Sequence, residues 1–277
     1  MASSATLACS FPNSASAPRP LAKQRTEACG GAGAIAGLDE AGADAIVKRP
    51  VEAGIIFIDT ADVSSNGVSE QIVDASIKYL GIKRSDVVIA TKVCGAMGSR
   101  PNDKGASRGH IMDAIEGSLS RLGTDHIDLY QIHADDSVKP IDETLRAPDD
   151  LVASGKVRYV GVSNWSASKI ANALGRSEAK GRARCETLQT HYTIAGRDLE
   201  RVIVPLLTSE RLGLMVWSPL ASALLLGKHE RDSPNAEGRR AAFDFPPVDK
   251  SRAFDCIDAM PPIADAHGAT VAQVALA

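Results

Sequence analysis

The chain reads as an α/β protein, a (β/α)8 barrel of the TIM type, and three observations carry that reading. Short apolar runs alternate with amphipathic helical stretches at about thirty residues per unit, the signature of a parallel sheet whose strands are joined by helices. Polar residues stand at the C-terminal ends of six such runs: Asp59, Thr91-Lys92, His133, Ser163-Asn164, Gln189 and Trp217-Ser218. A barrel of this class needs ~250 residues and gathers its chemistry on that rim, and the chain has 277. A doubly wound sheet is the alternative, but no strand is followed by the G-x-G-x-x-G turn of its dinucleotide-binding form.

The first 29 residues are rich in Ser, Ala and Pro and carry no acid before Glu27. They cannot build a core, and read as a disordered tail or a targeting segment for plastid or mitochondrion. Gly30-Gly31-Ala32-Gly33 follows no strand and lacks the Lys-Ser/Thr of a phosphate loop, so it reads as a linker. Residues 30–277 are expected to form the barrel. Asp39 caps a helix running to about Ala53, which Pro50 should end or kink. Ile55 to Ile58 is a buried strand that delivers Asp59 into a polar loop, and Val68 to Leu80 is an amphipathic helix. Val87 to Ala90 is a strand, Ser107 opens a helix bearing Ile111, Ile115, Leu119 and Leu122, and Ile127 to Ile132 is the next strand.

Pro140 suits the first turn of a helix that continues through Leu151, and Pro148 inside it should kink or split it at ~3 kcal/mol. Gly155 ends that helix. Strands follow at Val157 to Val162, Glu186 to Tyr192 and Leu214 to Trp217, with helices at Ser166 to Leu174 and Arg197 to Thr208. Lys228 to Lys250 is polar and rich in Pro and Gly, a loop or lid. Arg252 to Ala266 is helical around Pro261-Pro262, and Thr270 starts another helix.

A net charge of -3 and the lack of basic runs argue against nucleic acid or an acidic membrane as partner. No apolar run approaches the ~20 residues needed to cross a bilayer, so a soluble, cytoplasmic protein is expected. The five cysteines are scattered with no C-x-x-C pair, which suggests reduced thiols and no metal site.

Six motifs in order carry a resemblance: Asp59-Thr60-Ala61-Asp62 with Gly67-Val68-Ser69-Glu70, Ala90-Thr91-Lys92-Val93, Asp128-Leu129-Tyr130-Gln131-Ile132-His133, Gly161-Val162-Ser163-Asn164, Gln189-Thr190-His191-Tyr192, and Trp217-Ser218-Pro219-Leu220-Ala221. From about Leu38 onward the chain resembles the aldo-keto reductase superfamily, in the branch that includes bacterial and plant oxidoreductases and potassium channel beta subunits. The resemblance implies NADPH-dependent reduction of a small carbonyl compound on a TIM barrel, by a tetrad of Asp, Tyr, Lys and His. It makes Asp59 the acid, Lys92 the cation that acidifies the proton donor, and His133 the group that orients the carbonyl. It also implies that Ser163, Asn164 and Gln189 bind the nicotinamide amide and that Trp217 stacks on its ring. Ser218, Pro219, Leu220, Ala221 and Lys228 would follow the pyrophosphate of NADP. Taken singly, each residue also has a packing explanation: Lys92 as a partner of Asp59, His133 as a satisfied core histidine, Trp217 as core.

The chain departs from the family at three points. The tyrosine that follows the motif Asp by five residues is Ser64 here. A serine hydroxyl is far less acidic than a phenol and ends several ångströms short of it, so catalysis is expected to be impaired. No strand is evident before Leu38 for the family's first strand. Relatives also continue beyond the point reached at Ala277 into a last strand and helix. The barrel is therefore expected to be incomplete at both ends, with low stability and weak NADPH affinity.

Overall fold

The computed structural model describes residues 9–10, 47–228, 231 and 245–277. Apart from Cys9 and Ser10, the proposed tail lies outside those residues, as do the Gly30 to Gly33 linker, the proposed Asp39 cap and most of the proposed lid. Seven strands follow one another in chain order in one sheet: β1 Cys9–Ser10, β2 Phe57–Asp59, β3 Val88–Val93, β4 Ile127–Ile132, β5 Val157–Ser163, β6 Cys185–His191 and β7 Gly213–Trp217. Each pair from β1/β2 to β5/β6 is parallel. Sequential parallel strands with intervening helices are the arrangement of a (β/α)8 barrel, here with seven strands among the described residues.

The helices are α1 at 47–52, α2 Val68–Tyr79, α3 Arg108–Arg121, α4 Ile141–Ala153, α5 Ala167–Ala179, α6 Leu199–Glu210, α7 Lys250–His267 and α8 Val271–Leu276. Their starts follow local chemistry. Ser107, Ser166, Asp249 and Thr270 each accept a backbone N–H at the first turn of their helix, and Thr270 closes a reciprocal capping box with Gln273. None of the described helices is long and apolar enough to cross a membrane.

Two compact units are present, Met1–Gln189 with Glu210–Met215, and Thr190–Ser209 with Val216–Ala277. In the first, Val73 and Ile77 of α2, Ile111 and Ile115 of α3, Leu145 and Leu151 of α4 and Ile170 of α5 are buried, as are Ile58, Ile89, Ile132, Val160 and Val162 of the sheet. Both faces of the central strands are covered, which explains why their sequences are apolar throughout. The second unit has its own core of Ala195, Ala221, Leu224, Leu225, Ala253, Ile257, Met260 and Ala275.

The structure corrects the sequence reading at several elements. A strand does precede Leu38: Cys9–Ser10 pairs with Ile58 and Asp59 of β2. Two residues are too short to show any periodicity, which is why the pattern missed it. Pro148 does not split its helix, because α4 runs unbroken from Ile141 to Ala153. Burial of Leu145, Ala147, Pro148 and Leu151 on one side of that helix offsets the lost backbone bond. Strand β3 runs three residues past Ala90, so that Thr91 and Lys92 lie within the ladder rather than beyond it.

Candidate active site

Parallel pairing fixes which side chains share a face. Lys92 of β3 is the partner of Gln131 on β4, Gln131 is the partner of Gly161 on β5, and Ser163 of β5 is the partner of Gln189 on β6. Backbone bonds continue the ladders past the strand ends: Thr60 N–H donates to Ala90 O, Asp62 N–H to Lys92 O, His133 N–H to Val93 O and Asn164 N–H to Gln189 O, all between 2.8 and 3.1 Å. The residues after each strand are thus held nearly as firmly as the strands themselves.

At the centre is an ion pair. Lys92 Nζ donates to Asp59 Oδ2 at 2.7 Å and to the carbonyl of Thr60 at 2.8 Å, with both side chains about 5 % exposed or less. A buried pair of this kind is sustained only when its other lone pairs are also met. Gln189 Nε2 donates to the same Oδ2 at 2.9 Å, and Gln131 Nε2 to Oδ1 at 3.3 Å. His133 is half-buried beside the pair. Burial and the Lys92 charge push its imidazole down to about 4, against the pull of Asp59, so it is neutral at pH 7 and keeps one N–H to donate.

Ser64 occupies the position that the resemblance gives to the proton donor. It begins a single 3-10 turn, Ser64–Gly67, in which Ser65 and Asn66 take left-handed backbone angles, φ 50° and 53°. Such angles cost energy in non-glycine residues and persist only where the surroundings impose them. Here the next helix imposes them. Glu70, fully buried in the first turn of α2, accepts from Thr91 Oγ1 at 2.5 Å and from Arg121 Nε at 2.6 Å. Gly67 has φ 88°, and a Cβ there would stand 2.6 Å from Arg121 Cδ, so no side chain fits beneath the guanidinium. The loop bearing Ser64 is therefore pinned at both ends.

Asn164, itself left-handed at φ 59°, donates through Nδ2 to Ser163 Oγ at 2.9 Å and to the His133 carbonyl at 3.3 Å. With its Nε2 committed to Asp59, Gln189 has its amide oxygen left to accept. Serine hydroxyl, asparagine amide and glutamine oxygen together offer both donors and acceptors, which suits a primary carboxamide such as that of nicotinamide.

The second unit carries the other cofactor candidates. Trp217 packs against His191, with ring centroids 4.8 Å apart and tilted 34°, and nearly parallel to Phe245, at 5.6 Å and 5°. A ring stacking on Trp217 would share the indole with Phe245 or displace it. Ser218, Ala221, Ser222 and Ala223 all have positive φ, and the turn they form is held by Ala221 N–H to Ser218 O and by Ser222 N–H to Ser218 Oγ. Leu220 packs on the core of that unit, Pro219 is half-buried and Lys228 is exposed.

Three residues of the first unit were missed by sequence reasoning. Asp62 is 0 % exposed, and burial pushes its carboxyl up to about 7. Gln131 touches Asp59, and Gly161 makes room for Gln131. The signal for Gln131 was present: it stands two residues before His133 on an alternating strand, hence on the same face. For Asp62 the signal was its place in the Asp59-Thr60-Ala61-Asp62 motif, and no periodicity marks it as buried.

A family model described as the aldo/keto reductase family matches residues 28–277. A protein of Arabidopsis thaliana named "Probable voltage-gated potassium channel subunit beta" is 36% identical over 245 residues, covering 87% of this chain and 74% of its own length. The aldo-keto reductase AFTS1 of Alternaria alternata is 31% identical over 264 residues, covering 87% of this chain and 72% of its own. The versiconal hemiacetal acetate reductase of Aspergillus parasiticus is 32% identical over 251 residues, covering 84% and 73%.

Proposed function

The chain belongs to the aldo/keto reductase family, oxidoreductases that act on small carbonyl compounds, and from that premise we propose that it reduces an aldehyde or ketone to an alcohol with NADPH, at a rate held down by Ser64. The observation that carries the reading is the buried Lys92 to Asp59 ion pair with neutral His133 beside it, Asp59 ending the strand from which the chain enters the Ser64 turn. When bound, NADPH supplies the hydride. Ser163, Asn164 and Gln189 would hold its carboxamide, and Trp217, Ser218, Pro219, Leu220, Ala221 and Lys228 are the cofactor candidates of the second unit.

The chain's own residues then have distinct tasks. His133 donates its remaining N–H to the carbonyl oxygen and so orients it, while the Lys92 ammonium stabilises the charge that develops there. An imidazole lowered to about 4 carries no imidazolium proton at pH 7, so His133 is no proton source. The proton must come from the Ser64 hydroxyl, from neighbouring Ser65 or from a water held there, each a poorer donor than a phenol. General acid catalysis contributes ~100- to 10,000-fold, so a deficit of that order is expected relative to a tyrosine at position 64.

Steady-state reduction of a panel of aldehydes by the protein and by its Ser64→Tyr variant tests this. A gain within that range supports the reading, and an unchanged rate overturns it. The same serine favours a second reading, a nucleotide-binding regulatory subunit without catalysis. That protein would bind NADPH, read by tryptophan fluorescence, yet turn over no carbonyl at any concentration in either form.

A further inference from the structure

Gln131 is wholly buried in the middle of the sheet, and packing does not account for it. A carboxylate only accepts hydrogen bonds, so the amide must turn its NH2 toward Asp59, as it does, Nε2 to Oδ1 at 3.3 Å. That orientation leaves Oε1 buried with no partner among the described residues. An orphaned acceptor of this kind lowers stability, and a leucine would fill the same volume without it. The space is also kept open. Gly161 is the strand partner of Gln131, and a Cβ at 161 would stand 3.0 Å from Gln131 Cγ and collide with Thr187 Oγ1.

The consequence lies at the other carboxylate oxygen. Asp59 Oδ2 serves two donors at once, Lys92 Nζ and Gln189 Nε2. A carboxylate held at one oxygen alone can turn about its own bond and exchange the two. We propose that Gln131 is a positioning residue: by holding Asp59 Oδ1 in the lane left by Gly161, it fixes the orientation in which Oδ2 bridges Lys92 and Gln189. Through Gln189 the clamp ties the ion pair to the residue that would hold the cofactor's amide. Its catalytic consequence rests on the reductase reading above, whereas the clamp itself does not.

The test uses the full chain with Ser64→Tyr as parent and adds Gln131→Leu, Asp59→Asn and both together. Gln131→Leu is expected to lower kcat tenfold or more, with little change in the carbonyl KM or in melting temperature. In the Asp59→Asn background it is expected to have no further effect on kcat. A merely structural glutamine gives the opposite pattern, a large fall in melting temperature with kcat retained in the folded fraction, and that result overturns the proposal, as does an unchanged kcat. If the parent shows no turnover, the reductase reading fails and the clamp is decided separately by NMR of the unaltered protein. The Gln131 side-chain NH2 resonances must then move on Asp59→Asn, and resonances that stay in place overturn the clamp.

Discussion

Asp59 ends strand β2 and Asp62 lies three residues on in the loop that follows; both are buried, yet their surroundings are opposite. Asp59 faces a cation and two amide donors. Asp62 has its own neighbour's backbone N–H, Val63, at 2.6 Å for one oxygen and, among the described residues, nothing for the other. The charges around Asp62 come from three elements: Glu70 of α2 raises its carboxyl, while Arg121 of α3 and Lys92 of β3 lower it, all weaker than burial itself. Burial therefore does not mark a residue as part of a site. The donors around a group decide whether burial holds it as an ion or drives it toward the neutral form.

The largest effect expected from this contrast comes from removing the cation. Lys92→Met leaves Asp59 buried without its counter-charge, a change that costs ~3–5 kcal/mol when one partner of a buried pair is lost. Adding Asp59→Asn removes the stranded charge and should restore most of the loss. Urea unfolding of the two variants measures both. A Lys92→Met cost below about 1 kcal/mol would mean the two amides suffice for Asp59, and the contrast with Asp62 would collapse.

A second, smaller effect sits at Asp62. Its carboxyl is raised from 3.8 to about 7 in the folded chain, so the folded state binds more protons than the unfolded state between those values. The stability this provides is complete below about pH 4 and is lost as pH rises through 7. Asp62→Asn keeps the shape and removes the titration. Its unfolding free energy should exceed that of the parent at pH 8 by on the order of 2 kcal/mol and should vary less between pH 5 and 8. Parallel pH profiles for the two proteins would remove Asp62 from the account.

The two acids also differ in how far the sequence discloses them. Asp59 ends an apolar run and belongs to a motif, and Lys92, His133 and Gln189 likewise follow apolar runs in the sequence; although Lys92 and Gln189 lie inside their strands, parallel pairing alone brings all four toward one rim. Helix starts were legible because a capping residue acts locally, as at Ser107 and Ser166. What stayed hidden depends on contacts between distant residues. Pro148 is tolerated because its helix face is buried, the Ser64 turn is held by Arg121, 57 positions on, with Glu70, and Gln131 meets Asp59 across 72 positions. Local pattern carries none of those distances.

The smallest effect tests whether the Asp62 side of the loop is as poor in donors as it looks. Tyr130 is 1 % exposed, and its hydroxyl has no hydrogen-bond partner among the described residues. Burial pushes its ionisation well above the usual phenol range, with the Asp62 and Glu70 charges adding to the effect. If the hydroxyl bonds nothing, the folded state has already lost its hydration there, and Tyr130→Phe should leave stability unchanged or raise it by up to ~1 kcal/mol. The ring and its packing are kept, so any loss reports on the hydroxyl alone. A destabilisation beyond ~1 kcal/mol would mean that the phenol donates to an acceptor, and Asp62 Oδ2 is a buried carboxylate oxygen without a donor among the described residues. Asp62 would then have a donor of its own, and the difference between the two acids would lie in charge rather than in hydrogen bonding.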